Sequence, residues 1–409
     1  MVVMQRTPEK VLKLPDASAH PIPLSRPSTD EAELAAVASV LESGWMAGQG
    51  PYSTELEDGF KKLTGRAHAI AVNNCTAGLH LALAGLGVSA GDEVLVADYS
   101  FPATAHAVLY CGGSPVFVDV CEDTGAIDPK LIEAAITPRT KGIVAVDALG
   151  TPADWNELEE IADRRGLFLV EDAACAAGAV YAGRPCGSFG NVSVFSLHAR
   201  KGITCGEGGV ITTDDAELAA RMRAATCFGM ASAYSRQSAG TLALPTFAEI
   251  GYNYKLSDVL AAVAVVQLGK LDAFLARRRA LAARYAEKLS AVPGIEAPVV
   301  PSDRESAWQT YAVTVTEPLD RNAIAIALRA RGVGSTIGTY AMHLQPVYGP
   351  DQQSCPSSKR LFDRHLALPM YVGLTDGEQD LVVEILTSIV AEQMASDAAG
   401  GHSPAVHSV

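Results

Sequence analysis

Short apolar runs alternate with helical segments along most of the chain, and this alternation predicts a mostly parallel α/β sheet. The apolar runs have the length of strands and are predicted at 69–72, 93–96, 115–118, 143–146, 167–172 and 192–195. Helices are predicted between them at 77–86, 103–110 and 155–165. Because crossover helices cover both faces of such a sheet, its ligands are expected at the carboxyl ends of the strands.

The alternation stops near Thr213, and a second pattern follows it. A long helix is predicted at 255–289, then a strand at 311–315 and helices at 321–331 and 378–392. This order indicates a smaller α/β domain after the sheet. The predicted division is an irregular N-terminal arm at 1–23, a large domain at 24–270, a small domain at 271–395 and a disordered tail at 396–409.

The composition is typical of a compact globular protein, with 48% hydrophobic and 19% charged residues. A net charge of −14 argues against a general nucleic-acid or anionic-membrane binder. The eight cysteines show no C-x-x-C spacing, so reduced thiols are expected and no metal site is predicted. Residues 1–14 lack an apolar signal-peptide core and no apolar stretch has the length to cross a bilayer, so a cytoplasmic location is expected.

Lys201 follows the strand predicted at 192–195 and precedes a glycine-rich segment at 206–209. A lysine near the end of a buried strand can form a Schiff base with an aldehyde cofactor, although a lysine considered alone is more often a surface residue. Asp172 ends the strand predicted at 167–172, where a carboxylate can keep a pyridine nitrogen protonated or simply cap a helix. A lysine and an aspartate on neighbouring strand ends are what pyridoxal phosphate requires.

Three further features suit a phosphorylated ring. The segment 73–78 follows the first strand and opens a helix, where backbone amides bind anions, although such a turn is usually only a helix cap. Ser196 can add a hydroxyl group to the same phosphate or serve as an ordinary turn residue. Phe101 follows another strand and can cover one face of the ring, or it can belong to the core.

Four segments in a fixed order carry a family resemblance: 75–80, 171–174, 196–209 and 251–255. With them, from about residue 23 to about residue 390, the chain resembles the nucleotide-sugar aminotransferase (DegT-type) family of fold-type I pyridoxal-phosphate enzymes. The resemblance implies a large domain with a mostly parallel seven-stranded sheet between helices. It also implies a smaller C-terminal α/β domain.

The resemblance implies roles for individual residues. Lys201 becomes the Schiff-base lysine and the acid–base that moves the substrate's proton, and Asp172 pairs with the pyridine nitrogen. Phe101 stacks on the ring. The other residues expected at the cofactor are Cys75, Thr76, Ala77 and Ser196, the last three of them at its phosphate. Asn253 matches a helix-start asparagine that reaches the partner subunit's phosphate, which implies a homodimer with a shared active site.

Cys175 departs from the family pattern, which usually has glutamine or histidine three residues after the aspartate, in contact with the cofactor's ring hydroxyl. A thiol is a much weaker hydrogen-bonding group, so this contact is expected to be weaker and the pKa of the lysine-bound cofactor to shift. His198, Lys255 and His343 are the candidates for substrate contacts, with packed structural roles as the alternative for the histidines. The lysine at 201, where related dehydratases have histidine, argues for transamination.

The sequence therefore predicts a homodimeric pyridoxal-phosphate aminotransferase that passes through the pyridoxamine phosphate form. Glutamate or glutamine is the expected amino donor and a keto-sugar nucleotide the expected acceptor, in polysaccharide or antibiotic-sugar biosynthesis. One alternative acceptor is a cyclitol or another secondary-metabolite carbonyl. A second alternative is a non-catalytic regulatory protein that retains the fold, against which Lys201 and Asp172 argue.

Overall fold

The computed structural model of the protein describes residues 21–230, 246–350 and 352–399. The strands are β1 (His68–Val72), β2 (Glu93–Ala97), β3 (Tyr99–Ser100), β4 (Ser114–Val118), β5 (Thr140–Val146), β6 (Phe168–Asp172), β7 (Val180–Tyr181), β8 (Arg184–Pro185), β9 (Val192–Ser196), β10 (Gly209–Thr213), β11 (Ile295–Glu296), β12 (Arg304–Glu305), β13 (Tyr311–Val315), β14 (Thr336–Ile337), β15 (Tyr340–Ala341) and β16 (His365–Leu368). Seven of them form the central sheet, in the order β1–β10–β9–β6–β5–β2–β4. Strand β10 runs antiparallel between β1 and β9, and the neighbours from β9 to β4 are parallel. The prediction of a mostly parallel seven-stranded sheet is confirmed.

Helices cover both faces of this sheet. They are α1 (Glu31–Ser43), α2 (Pro51–Thr64), α3 (Cys75–Gly85), α4 (Pro102–Tyr110), α5 (Pro129–Ala135), α6 (Trp155–Arg165), α7 (Ala216–Thr226), α8 (Asp258–Gly269), α9 (Leu271–Leu289), α10 (Arg321–Ala330), α11 (Pro356–Arg364) and α12 (Asp376–Ala399). In β2, Val94 and Val96 pack in one core with residues of α3, α4 and α7. Leu95 and Ala97 pack in another with residues of α2, α6 and α8. Since successive strand residues point to opposite faces, two cores on one strand explain its unbroken apolar sequence.

A second, four-stranded sheet has the order β11–β13–β16–β14 and a hydrophobic core of its own with α9, α10 and α12. Ile22 belongs to this second core and forms a parallel bridge to Val333. The residues just before α1 are therefore attached to the second sheet. This is the smaller α/β unit predicted after the large sheet, while its boundary at residue 271 stays a prediction.

The single helix predicted at 255–289 is wrong, because α8 and α9 form a pair bent by 59° with Lys270 between them. Helix α8 starts only at Asp258, where the Ser257 side chain accepts a hydrogen bond from the Leu260 backbone N–H. The break coincides with a tertiary contact, since Lys270 Nζ lies 2.8 Å from the carboxylate of Glu33 in α1. Among the described residues no single helix has the length and apolar content to cross a membrane, and α8 with α9 passes only as this bent pair.

The ends of the chain were predicted to be irregular. Helix α12 extends to Ala399 and therefore passes Ser396, where the disordered tail was predicted to begin. Met394 packs against the second core, which holds this part of the helix in place. Residues 400–409 of the predicted tail and residues 1–20 of the predicted arm lie outside the described residues.

The two sheets are joined beside the carboxyl end of β2. Strand β3 pairs antiparallel with β15, and the carboxylate of Asp98 accepts hydrogen bonds from the backbone N–H of His343 at 2.7 Å and from its ring Nδ1 at 2.6 Å. The Tyr99 hydroxyl lies 2.8 Å from the ring Nδ1 of His365. These contacts fix the start of α4, where Phe101 is the N-cap residue.

Candidate active site

Asp172 is the last residue of β6 and is only 4% exposed. Its Oδ2 accepts a hydrogen bond from Thr104 Oγ1 at 2.8 Å, and its Oδ1 accepts one from the Ala174 backbone N–H at 3.2 Å. Burial raises the pKa of Asp172, whereas the two hydrogen bonds and the charge of Lys201 favour its ionised form. The buried carboxylate of Asp172 can therefore pair with a positively charged group of a ligand, in addition to the Lys201 amine.

Glu171, the residue before it, anchors this end of β6. Because neighbouring strand residues point to opposite faces, the Glu171 side chain lies on the other side of the sheet from Asp172. Its fully buried carboxylate accepts hydrogen bonds from the backbone N–H groups of Gly187 and Phe189, at 2.7 and 3.1 Å, and from Ser193 Oγ at 2.6 Å. These bonds hold the strand end and so fix the direction in which Asp172 points.

Lys201 lies in the turn that follows β9. Its backbone N–H donates to the carbonyl of His198 at 2.8 Å, and its Nζ lies 3.1 Å from the sulfur of Cys175. Burial lowers the pKa of the Lys201 amine, but its contact with Cys175 and the proximity of Cys75 and Asp172 outweigh this effect and raise the pKa. The amine and the carboxylate predicted to act together are therefore close enough for each charge to affect the other.

The N-terminus of α3 lies next to the start of β10. Asn74 caps the helix by accepting a hydrogen bond from the Ala77 backbone N–H at 2.8 Å, and the amides of Cys75 and Thr76 have no hydrogen-bond partner among the described residues. At Gly209 a Cβ atom would stand 2.8 Å from the Cys75 nitrogen, so only glycine permits this approach. Gly209 is paired with Ser196, which brings the serine to the same place.

These groups fit pyridoxal phosphate. Free amides at a helix N-terminus and the hydroxyl of Ser196 suit a phosphate, because they supply hydrogen-bond donors to an anion. The carboxylate of Asp172 suits a protonated ring nitrogen, and the amine of Lys201 suits an aldehyde. The close approach at Gly209, which a side chain would prevent, holds the end of β9 with Ser196 beside the first turn of α3.

Asn253 and Lys255 do not lie at a helix start, which corrects the prediction for Asn253. They belong to an extended segment that bridges to Cys227 and to Val72, and α8 begins after it. Asn253 is exposed, and its Oδ1 accepts a hydrogen bond from Lys255 Nζ at 2.6 Å. The helix start was misplaced because the extended segment is held by contacts with distant residues, which the local sequence does not show.

Phe101 is the N-cap residue of α4, three positions before Thr104. Its side chain is 62% exposed, and its ring centroid is 6.2 Å from that of Tyr340 in β15, the strand that pairs with β3. A core role for Phe101 is therefore wrong, and its predicted stacking on the cofactor ring stays a prediction.

The two candidate histidines differ in their surroundings. His198 is 43% exposed at its side chain, with Nε2 at 3.7 Å from the Glu207 carboxylate and Nδ1 accepting a hydrogen bond from the Arg200 backbone N–H. The His343 side chain is only 9% exposed, and its Nδ1 is engaged with Asp98. The structural alternative therefore describes His343 better, whereas His198 can still contact a substrate.

Thr104 is a site residue that the sequence did not reveal. Its hydroxyl bridges Ser100 Oγ and Asp172 Oδ2, both at 2.8 Å. Thr104 is 68 positions from Asp172, so the sequence does not reveal their contact. Its place in the first turn of α4, a helix that follows a strand, is the local feature that could have suggested a position near a ligand.

Replacing Cys175 with alanine is expected to lower the pKa of the Lys201 amine in the cofactor-free protein. The reason is that the sulfur 3.1 Å from Nζ contributes to raising this pKa, and alanine removes it. The pKa can be measured from the pH dependence of trinitrobenzenesulfonate labelling of Lys201, followed by peptide mass spectrometry. Cys121→Ala, on a turn that follows β4, is the matched control, and an unchanged labelling profile in Cys175→Ala would contradict the expectation.

Comparison with known proteins gives one family. The model of the DegT/DnrJ/EryC1/StrS aminotransferase family matches residues 27–387. All residues of the predicted site, from Cys75 to His343, fall inside this range.

Solved structures of similar sequence share the fold. The aminotransferase TlmJ from Streptoalloteichus hindustanus is 35% identical, over 91% of this chain and 100% of its own, with a TM-score of 0.85. DesI, solved in the presence of its TDP-sugar product, is 33% identical over 94% of this chain and 97% of its own, with a TM-score of 0.85. Spr1654 from Streptococcus pneumoniae, solved in its PLP form, is 28% identical over 91% of this chain and 99% of its own, with a TM-score of 0.85.

Proposed function

Because the chain belongs to the DegT/DnrJ/EryC1/StrS aminotransferase family, we propose that it moves an amino group from glutamate or glutamine to a keto-sugar carried by a nucleotide. It is a pyridoxal-phosphate-dependent aminotransferase. The observation that carries the proposal is the meeting of a lysine amine and a buried aspartate at the carboxyl ends of β9 and β6. A protein that only bound a partner would need neither group.

The cofactor, when bound, supplies an aldehyde that takes up an amino group and a ring that accepts electrons. The chain supplies the proton transfers and the electrostatics. The amine of Lys201 removes a proton from the donor's α-carbon and returns it elsewhere, which is the work of a general acid–base. Asp172 would keep a positive charge on the ring nitrogen, and the first turn of α3 with Ser196 would hold the phosphate.

A nucleotide-linked sugar is the acceptor class that the relatives favour. The structure of DesI was solved with its TDP-sugar product, and TlmJ is named an aminotransferase. The same proposal includes three further points. The chain acts in polysaccharide or antibiotic-sugar biosynthesis, its cycle passes through the pyridoxamine phosphate form, and it is located in the cytoplasm. The structure of Spr1654 in a PMP form is consistent with that intermediate state in the family.

The proposal is tested by a visible absorption spectrum of the protein with pyridoxal phosphate, recorded before and after glutamate or glutamine. A band of the lysine-bound cofactor that converts to the pyridoxamine phosphate spectrum is expected. Nucleotide-linked keto-sugars and a cyclitol ketone are then offered to the converted protein. Recovery of the original band with the sugars alone supports the proposed acceptor, recovery with the cyclitol alone shows the other acceptor, and no band at all contradicts the aminotransferase assignment.

We also propose that the active site is completed by a second copy of the chain. Asn253 is exposed, and so are three large apolar side chains: Phe228 at 50%, Phe247 at 59% and Ile250 at 90%. Backbone contacts bring them near Asn253, since the Phe228 N–H donates to the carbonyl of Tyr252 and Met230 bridges to Phe247. A contiguous group of exposed apolar side chains, unlike single scattered ones, usually marks an interaction site. An isologous two-fold interface over this face would bring Asn253 of each copy toward the other copy's site.

Mixing two inactive variants is expected to restore activity if the site is shared. In a mixed dimer of Lys201→Ala and Asn253→Ala, one of the two sites has both native residues. With random exchange of subunits, half of the dimers are mixed, so about a quarter of the native sites return. The measurement is donor conversion after the variants have been mixed, unfolded and refolded together. Each variant refolded alone is the control, and a mixture no more active than its components would contradict the shared site.

A further inference from the structure

The segment before β13 contacts the turn that holds Lys201. Gln309 Nε2 donates a hydrogen bond to the carbonyl of Arg200 at 2.9 Å, across 109 positions of sequence. Its Oε1 accepts a hydrogen bond from Thr310 Oγ1 at 3.0 Å, which orients the amide so that the donor faces Arg200. Gln309 belongs to the segment that leads into the second sheet, whereas Arg200 and Lys201 follow a strand of the first.

This contact fixes a peptide plane. The carbonyl of Arg200 and the N–H of Lys201 belong to the same planar peptide unit. The N–H donates to the carbonyl of His198 at 2.8 Å, and the carbonyl accepts from Gln309. With both polar groups of the unit held, its orientation is set, and with it the direction in which the Lys201 side chain leaves the backbone.

The segment that carries Gln309 is itself held firmly. Trp308 has a φ of +50°, a conformation that a bulky residue adopts only when its surroundings impose it. Arg278 of α9 is 4% exposed, and its Nη1 donates to the carbonyl of Trp308 at 3.0 Å. The backbone N–H of Ala307 donates to the carbonyl of Gly150 at 2.8 Å. Gln309 therefore acts from a rigid support.

Gly150 connects this support to the other end of the lysine. A Cβ atom at Gly150 would stand 3.0 Å from the nitrogen of Gln309 and 3.0 Å from the carbonyl oxygen of Cys175. Cys175 is the residue whose sulfur contacts Lys201 Nζ. Gln309 holds the backbone beside Lys201, and Cys175 contacts the amine at the end of its side chain. Both of these residues pack against Gly150.

We propose that Gln309 is a positioning residue for Lys201, and that it couples the placement of the second sheet to the direction of the reactive amine. The proposal rests on the proposed function, because it takes Lys201 as the residue that reacts with the cofactor's aldehyde. The Gln309 side chain forms hydrogen bonds with Arg200 and Thr310, and it influences the Lys201 amine indirectly. It acts through the peptide unit that precedes the lysine side chain.

The test measures how fast the cofactor-free protein takes up pyridoxal phosphate, followed by the absorption band of the lysine-bound cofactor. Gln309→Ala is expected to slow this uptake about five-fold, the effect of losing one ordinary hydrogen bond. Gln309→Glu keeps the shape and removes the donor, so its uptake is expected to slow at least as much. In the full reaction, kcat is expected to fall in both variants while the KM for the amino donor stays unchanged.

Gln393→Ala is the matched control, since Gln393 is a glutamine of α12 whose side chain, among the described residues, bonds only the backbone of Asp320. It is expected to take up the cofactor at the wild-type rate. Wild-type uptake in both Gln309 variants would overturn the positioning role and leave the proposed function intact. A wild-type protein that forms no lysine-bound cofactor would instead overturn the proposed function. Thermal unfolding of all variants is recorded alongside, and a slowed uptake with an unchanged Tm supports positioning over a general loss of structure.

Discussion

Replacing Lys201 with alanine is expected to abolish the covalent attachment of pyridoxal phosphate and to reduce transamination by at least about a thousand-fold. Lysine is the residue that can both form a Schiff base and transfer a proton. The groups that influence its amine, Cys175, Cys75 and Asp172, offer no amine in its place. The substitution leaves the phosphate contacts at the first turn of α3 unchanged. The variant is therefore expected to bind the cofactor reversibly and to release it on dialysis.

The measurement is the absorption band of the lysine-bound cofactor, together with the mass of the protein after borohydride reduction. The wild type is expected to gain the mass of the reduced cofactor, and Lys201→Ala is expected to gain nothing. Lys359→Ala is a matched control, because Lys359 is an exposed lysine of α11 that forms an ion pair with Asp363 in the same helix. A reduced adduct in Lys201→Ala would mean that another lysine reacts, and the assignment of Lys201 would be wrong.

The sequence was informative about the sheet because burial on both faces leaves few choices of residue. Strands β2, β5, β6 and β9 are almost wholly buried, so each appears in the sequence as a short, mainly apolar run. Helix α6 begins and ends where it was predicted, since Gly166 stops it with a φ of +63°. Local physical rules determine these elements, and a single sequence shows them.

The break between α8 and α9 had no comparable local cause. Residues on both sides of Lys270 favour a helix, and Gly269 is a weak signal by itself. The structure instead shows tertiary contacts: Lys270 bonds Glu33 of α1, and Asp258 at the start of α8 accepts a hydrogen bond from the Ser53 backbone N–H in α2. Such contacts join residues more than 200 positions apart, and an apolar pattern does not record them.

The candidate site divides in the same way. Lys201 and Asp172 were identified because each stands at the end of a strand, and parallel topology brings such ends together. Thr104 and Gln309 were missed, because their roles depend on contacts across 68 and 109 positions. A residue that acts by geometry on a distant neighbour has no motif of its own. For that reason the supporting residues of the site emerge only from the structure.

Replacing Asp172 with asparagine is expected to leave the cofactor attached to Lys201 but to slow its conversion by the amino donor about a hundred-fold or more. The carboxylate favours the protonated ring nitrogen by one to three pKa units in comparable pairs, roughly a factor of ten for each unit, and a neutral amide gives up this effect. The fold is expected to survive. The Thr104 hydroxyl, which donates to Asp172 Oδ2, can instead accept from the new amide, and the amide oxygen can still accept from Ala174.

The informative result is the separation of binding from conversion. The lysine-bound band of Asp172→Asn is expected to form as in the wild type, and stopped-flow mixing with glutamate or glutamine is expected to show the slow decay of that band. Asp163→Asn, an exposed position in α6, controls for the loss of one negative charge from a protein that carries a net charge of −14. Wild-type conversion in Asp172→Asn would show that this carboxylate does not act on the ring nitrogen.

Thr104 of α4 holds the Asp172 carboxylate through one hydrogen bond. Thr104→Val removes this bond and leaves the charge in place, so it is expected to slow conversion less than Asp172→Asn.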